Sequence, residues 1–381
     1  MQRCNILTIF LGFSLLAGAQ DWKVVREHPQ KAFPKTVAAG NYSGIAHLHD
    51  DIYAVVSDKS DSALYFNFRI QVNPKTGELE QVENLGFTER TDGTLNDAKP
   101  WQGQEKGFDH EAIVKVSDST LVVASEGYCR LKEYPILPTS ADATKVDYQQ
   151  NLWESRWPSA DFYPNYNFES LAFDSIRQYL WTIPESTLRK DGQPATPQNG
   201  LANQLRLMRL DWGKIKENRN KEGYSEQVSS KKDPRYMTTY AYQMDQPSIH
   251  KKADIYVMGV SELCALPDGQ LLVLEREAFI PKIKIGAFCK CKLYLVNPLN
   301  SENFSMKENI SSDTPFLKKK LLAEWKTGLS LSKRSFANYE GMCLGPKLED
   351  GSQVVILLSD SQDQYAGVLK DWFKTIVIRK E

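Results

Sequence analysis

Short, strongly apolar runs recur along the chain, each preceded by a weaker apolar stretch and a polar turn. Five copies are legible: NYSGIAHLHDDIYAVVSD (residues 41–58), DHEAIVKVSDSTLVVASE (109–126), NFESLAFDSIRQYLWTIPE (167–185), GVSELCALPDGQLLVLERE (259–277) and NYEGMCLGPKLEDGSQVVILLSD (338–360). Each opens on a small or acidic residue and ends in Ser-Asp, Ser-Glu, Pro-Glu or Glu-Arg. The turn chemistry is explicit in Pro267-Asp268-Gly269 and Glu349-Asp350-Gly351. Each copy therefore reads as a β-hairpin.

More strand-like sequence follows each hairpin: 63–72 and 79–82 after the first, 204–211 and 236–245 after the third, 292–297 and 321–328 after the fourth. The repeating unit is about four antiparallel strands, which is one propeller blade. The last copy ends at 373–380 without an outer strand, and residues 21–29 can supply it, so that the start of the chain closes the ring. The pattern predicts an all-β fold, a β-propeller of about five blades. Six is the alternative, with a degenerate blade in the longer connections; a β-sandwich with chance similarity among hairpins is the competing architecture. Helical periodicity is scarce, and 212–220 reads as a short surface helix.

The N-terminus changes the picture of where the protein works. Arg3 precedes an apolar stretch over residues 6–16 and then Ala17-Gly18-Ala19, the tripartite pattern of a secretory leader cut after Ala19. The expected organisation is a signal peptide at 1–19 and a single propeller domain at 20–381, exported to the periplasm or secreted. No later segment is long and apolar enough to read as a membrane span. A formal net charge of −1 gives no reason to expect nucleic acid as a partner. The runs Lys231-Lys232 and Lys318-Lys319-Lys320 read as solvated loops or edges. Cys129, Cys264, Cys289, Cys291 and Cys343 follow the leader; they lack zinc-site spacing and read as buried or incidental thiols.

The repeat carries chemistry. In a hairpin, the start of the first strand and the end of the second lie at the same end. Glu111, Glu169, Glu262 and Glu340 at the starts, with Ser43 in the first copy, should gather at one mouth of the channel. Asp58, Glu126, Glu185, Glu275 and Asp360 at the ends should join them. The register leaves one ambiguity. The count from Ile45 to Asp58 equals that from Ile113 to Glu126, and the same count from Leu263 lands on Arg276, which puts Ser261 rather than Glu262 in the first place. So many carboxylates in a narrow funnel repel one another at low dielectric. Lys59, His110, Arg130 and Arg276 are too few to neutralise them. Hard oxygen ligands at loop edges suit calcium, and sparse histidine argues against zinc or copper. One or more calcium ions at the mouth are the expected cofactor.

At these residues the chain resembles the phytase-like family described as having esterase-like activity. The matching pieces are NFESLAFD (167–174), VSELCALPDGQLLVLERE (260–277), the C-terminal NYEGMCLGPKLEDGSQVVILLSD and, near the start, SGIAHLHDDIYAVVSD. The resemblance implies a β-propeller related to calcium-dependent alkaline phytases and hydrolysis of a phosphate or carboxylic ester. Glu169, Glu262, Glu275, Arg276, Glu340 and Asp360 match family motifs. The cluster of basic side chains with which alkaline phytases surround phosphate is not evident, which argues against inositol hexaphosphate.

For an enzyme of this kind, calcium would bind an anionic substrate oxygen and position water. Glu169 or Glu340 would take the water's proton, Arg276 and Lys59 would face developing charge, and His110 is an alternative base or a hydrogen-bonded wall residue. A serine nucleophile is not supported: Gly-x-Ser-x-Gly is absent, and Ser57, Ser125 and Ser359 have no repeat-related histidine. The expected partner is a small anionic ester or phosphate, met by a monomer. The other reading is a non-catalytic propeller that binds a sugar, peptide or protein on aromatics such as Trp101, Trp153, Trp157, Tyr163 and Tyr166.

Overall fold

The structure is a computed structural model that describes residues 21–58, 65–87, 109–136, 152–222, 236–330, 334–362 and 369–381. The leader, Lys59, Trp101 and the Lys231-Lys232 pair lie outside the described residues.

The chain enters on β1 (Trp22–Glu27) and β2 (Lys31–Ala32). Blade 1 follows as β3 (Tyr42–His49), β4 (Ile52–Ser57), β5 (Phe66–Val72) and β6 (Leu79–Phe87). Blade 2 is β7 (His110–Lys115), β8 (Thr120–Ser125), β9 (Arg130–Pro135) and β10 (Glu154–Arg156). Blade 3 is β11 (Ala172–Asp174), β12 (Tyr179–Thr182), β13 (Gln204–Asp211) and β14 (Met237–Gln243), with α1 (Trp212–Glu222) where the lone helix was expected. Blade 4 is β15 (Ile255–Ala265), β16 (Leu271–Ile280), β17 (Phe288–Val296) and β18 (Lys319–Gly328). Blade 5 is β19 (Asn338–Lys347), β20 (Gln353–Asp360) and β21 (Trp372–Lys380). Its missing fourth strand is β1, which pairs antiparallel with β21, while β2 adds a short second pairing to the same strand. The chain start therefore closes the last sheet, and the described residues form five sheets.

The second strand of each hairpin is apolar throughout because both faces of its sheet are covered. On β4, Val55 packs toward blade 5, with Ile356 and Phe373, while Ala54 and Val56 pack toward blade 2, with Ile113 and Val123. On β8, Val122 and Ala124 turn to blade 3, beside Leu171 and Leu180. Trp181 of β12 meets Leu271 and Val273 of β16, whose neighbours Leu272 and Leu274 meet Val355 and Leu357 of β20. Five inter-blade cores thus run in sequence and return to the start. That circular order is a propeller and excludes the two-layer sandwich.

The inner strands come very close around the axis. A Cβ on Gly44 would sit 2.7 Å from the Ala112 Cα, and one on Gly341 would sit 2.7 Å from the Ser43 carbonyl oxygen. Only glycine allows adjacent backbones to approach this far. Strands β15 and β16 differ from their counterparts. They pair beyond Gly259–Arg276 for four more rungs, Met258–Glu277, Val257–Ala278, Tyr256–Phe279 and Ile255–Ile280. All five described cysteines are buried and unbridged, with the Cys289 and Cys291 sulfurs 3.7 Å apart.

Candidate functional site

The same clasp ends each hairpin. Asp58 N–H donates to the Asn41 carbonyl at 3.2 Å, Glu126 N–H to that of Asp109 at 2.8 Å, and Glu185 N–H to that of Asn167 at 2.7 Å. Asn338 pairs with Asp360, and Gly259 pairs with Arg276. The equivalent positions are therefore Asp58, Glu126, Glu185, Arg276 and Asp360. Two residues after each opening residue stand Ser43, Glu111, Glu169, Ser261 and Glu340. The ambiguity in blade 4 is settled in favour of Arg276 and Ser261.

Arg276 is the hub of this mouth. Its Nη2 donates to Glu169 Oε2 at 2.7 Å and to Glu185 Oε1 at 2.8 Å; its Nη1 donates to Glu340 and, at 3.1 Å, to Asn338 Oδ1. One guanidinium thus gathers carboxylates from blades 3 and 5. Burial works against its charge, but Glu169, Glu340 and Glu185 hold its pKa well above the usual arginine value. The guanidinium is 5% exposed and its Nη atoms are spent on these partners, so Arg276 is not a free anion contact. Its Nε has no hydrogen-bond partner among the described residues, nor does the buried Asn167 Oδ1.

A second group lies beside the hub. One carboxylate oxygen from each of Asp58, Asp109 and Glu111 falls within 4.8 Å of the others. Asp109 adopts φ 51°, a left-handed conformation that Asp tolerates better than most residues. Burial pushes the Glu111 carboxyl well above the usual range, and Glu340, Asp58, Glu126 and Asp109 push it further. Burial raises Glu340 to about 8 against the pull of Arg276, with Asp360 and Asp58 adding to the rise. Glu126 rises to about 7 through burial and Glu185, and its Oε1 accepts the Asn167 N–H at 3.1 Å. Glu169 is also raised by burial, with Arg276 opposing. Asp360 faces Glu340 electrostatically and accepts hydrogen bonds from Gln362.

Three expected site residues are elsewhere. Glu275 follows β16 to the opposite face from Arg276, as adjacent strand residues must. It accepts hydrogen bonds from Tyr242 Oη at 2.5 Å and Lys319 Nζ at 2.7 Å, between blades 3 and 4. Glu262 follows a bulge between Val260 and Glu262 and is 1% exposed. Its Oε1 accepts the N–H groups of Leu171 at 2.9 Å and Leu263 at 3.0 Å, and its carboxylate also meets the Met342 N–H. That ties inner strands of blades 3, 4 and 5 together, a bracing role rather than an ion-facing one. His110 is 1% exposed, with Nδ1 2.9 Å from Ser125 Oγ; burial, helped by Arg130, lowers its pKa to about 3. It is the wall residue, kept neutral.

Asp109 and Asn338 belong to the site without having been expected there, and Tyr166, expected only on an aromatic binding platform, lies near its acids. Asp109 and Asn338 had a signal, because the opening position recurs as Asn41, Asp109, Asn167 and Asn338. Tyr166 had none beyond being aromatic. Burial beside Glu185 and Glu169 raises its phenol to about 12, so it stays a hydrogen-bond donor. The proposed aromatic platform is mostly packing: Trp157 and Phe162 stack edge-on against Phe168 at 4.7 and 5.2 Å, and Trp153 against Trp212 at 5.0 Å.

Residues 37–362 match the phytase-like family, described as esterase-like activity of phytase. No curated protein sequence matches the chain. Similar solved structures include a streptogramin B lyase, at 9% identity over 93% of this chain and 98% of that one, with a TM-score of 0.33. Another is the β-propeller domain of Cps50 (Swd1) from Myceliophteria thermophila, at 9% identity, 92% and 99% coverage and a TM-score of 0.31. An engineered GH43 glycoside hydrolase aligns at 10% identity over 93% of this chain and 52% of that one, with a TM-score of 0.36.

Proposed function

Because the chain belongs to the phytase-like family, we propose that it is an exported hydrolase of a phosphate or carboxylic ester, working at the acidic mouth around Arg276 and supported there by calcium. The observation that carries this reading is the company of Arg276: three carboxylates on one buried guanidinium, next to a further triad of acids. A structural ion pair needs one acid, and this excess of acid in a buried place is characteristic of a site.

The donor set fits calcium. Asp58, Asp109 and Glu111 offer three hard oxygens within 4.8 Å, compatible with metal–oxygen distances of about 2.3–2.6 Å. These residues would hold a calcium ion, whose chemistry there would be that of a Lewis acid toward an anionic substrate. The chain's own groups do the rest. Glu340, with its pKa near 8, exchanges a proton close to neutrality, which suits a general base for water in mildly alkaline solution. Glu169 is the second carboxyl within the same Arg276 grasp. Arg276 is a positioning residue: its fork fixes Glu169 and Glu340 relative to each other. Tyr166, whose phenol burial raises to about 12 near Glu185 and Glu169, would serve as a donor to charge that develops nearby.

The test is turnover of 4-nitrophenyl phosphate, bis(4-nitrophenyl) phosphate and short 4-nitrophenyl acyl esters, each with calcium and with chelator. One of these classes should be hydrolysed in a calcium-dependent way, with Glu340→Gln reducing kcat by at least tenfold. Absence of turnover on every class, in protein that binds calcium, would favour the non-catalytic binding propeller.

A further inference from the structure

Blade 4 carries a feature that the mouth chemistry does not use. The four extra rungs of β15 and β16 carry the β16–β17 turn past the level of Arg276 by about 13 Å at roughly 3.3 Å per residue. The projecting part is rigid. Phe279 and Phe288 stack at 5.4 Å, Lys326 Nζ lies 3.6 Å over the Phe288 ring, and the Gly286 N–H donates to the Leu329 carbonyl at 2.8 Å. The turn is closed by the Lys284 N–H donating to the Pro281 carbonyl at 2.8 Å.

The tip is apolar and basic in alternation, Pro281-Lys282-Ile283-Lys284-Ile285-Gly286. Ile283 is 74% exposed and Ile285 47%, and Ile255 on the paired strand is 48% exposed. Lys284 Nζ reaches Asp254 at 3.2 Å, which ties Ile255 to the same tip and neutralises one charge. Lys282, Lys251 and Lys252 remain exposed on or just before the tip. A rigid turn and its paired strand that hold three large aliphatic side chains in water are a cost to solubility with no return inside the fold.

We propose that this hairpin is a membrane-surface anchor that inserts Ile283, Ile285 and Ile255 between the headgroups of an anionic lipid surface, with Lys282, Lys251 and Lys252 on the lipid phosphates. Charge complementarity selects the occupant: aliphatic tips flanked by lysines match an interface of acyl chains under negative headgroups. The hairpin rises on the side of the Arg276 mouth, so docking holds that mouth toward the lipid surface. The inference is independent of the hydrolytic reading, and its test uses no substrate.

The experiment is co-sedimentation of the full mature protein with sucrose-loaded vesicles, either phosphatidylcholine alone or phosphatidylcholine with about a third phosphatidylglycerol. The protein should pellet with the anionic vesicles and lose most binding in high salt. Ile283→Glu/Ile285→Glu should weaken partitioning at least tenfold, and each of Lys282→Gln and Lys252→Gln by about fivefold, the worth of one lysine near such a surface. All these side chains point into water, so far-UV circular dichroism and Tm should not move, and that check separates loss of docking from loss of fold. In Ile283→Trp, indole fluorescence should shift to the blue on adding anionic vesicles. Failure of the wild-type protein to pellet overturns the proposal, as does equal pelleting of the Ile283→Glu/Ile285→Glu variant. A concentration-dependent dimer that this variant dissolves, without vesicle binding, would instead assign the tip to a second copy of the chain.

Discussion

Replacing Arg276 by Met removes the cation that Glu169, Glu185 and Glu340 share while keeping much of the side-chain volume. At pH 8 each orphaned carboxyl must stay ionised without a partner or take up a proton. Protonating one glutamate at that pH, against an ordinary pKa of 4.5, costs up to about 5 kcal/mol at 1.36 kcal/mol per unit. Glu340, already raised to about 8, pays least. The expected loss is therefore about 3–5 kcal/mol, in line with breaking other buried ion pairs. The sign of the pH dependence follows from the raised folded-state values. A carboxyl that binds its proton more tightly when folded contributes its full stability below about pH 4.5 and loses it as pH rises to the folded pKa. The penalty in Arg276→Met should thus shrink to about 1–2 kcal/mol near pH 4.5, the worth of the lost hydrogen bonds. Urea unfolding in chelator at pH 4.5, 6 and 8 measures it, with Arg276→Lys as a control that keeps the charge but not the fork. A loss below 1 kcal/mol at pH 8, or one that is flat across the range, refutes the account of Arg276 as counter-charge to the mouth.

Calcium should raise the Tm of the wild-type protein at pH 8, and Asp58→Asn/Asp109→Asn should abolish the rise while Glu275→Gln keeps it; an unaltered rise in the double variant would move the ion elsewhere. Glu262→Ala should destabilise by about 2–4 kcal/mol in denaturant unfolding, because it strands buried N–H groups of Leu171, Leu263 and Met342, and Glu262→Gln should recover part of that. His110 should give no titration between pH 5 and 8 in its imidazole NMR shifts, since burial holds its pKa near 3; an inflection there would restore it as a base.

The fold was legible because the repeat is radial and the pattern that builds one blade builds all of them. The fully apolar runs on β4, β8, β16 and β20 reported sheets covered on both faces, and the bare β21 reported a strand waiting for β1. The site was legible only to the level of backbone position. Their place at the end of each repeat put Asp58, Glu126, Glu185 and Asp360 at one level, which the structure shares. Which way a side chain points depends on pleat and bulge. Glu275 and Arg276 are neighbours, so one of them had to leave the channel, and the count from Leu263 favoured Arg276 without saying what it would hold. Glu262 sits beside a bulge, and its side chain ends on the N–H groups of two other blades, partners far away in sequence.

The consequence of that geometry is larger than any single misplacement. With Glu262 and Glu275 satisfied elsewhere, the mouth still gathers Asp58, Asp109, Glu111, Glu126, Glu169, Glu185, Glu340 and Asp360 near Arg276. Burial is the main reason that Glu169 and Glu340 remain raised, and Arg276, shared among three acids, does not offset it in spite of direct hydrogen bonds. A guanidinium that cannot bring its own partners down to the ordinary carboxylate range leaves a deficit of positive charge. Only two agents can fill it without new side chains, protons at low pH and a hard cation at higher pH. These compete for the same oxygens, so the acidity that destabilises the mouth in alkaline solution is the same property on which the proposed affinity for calcium rests.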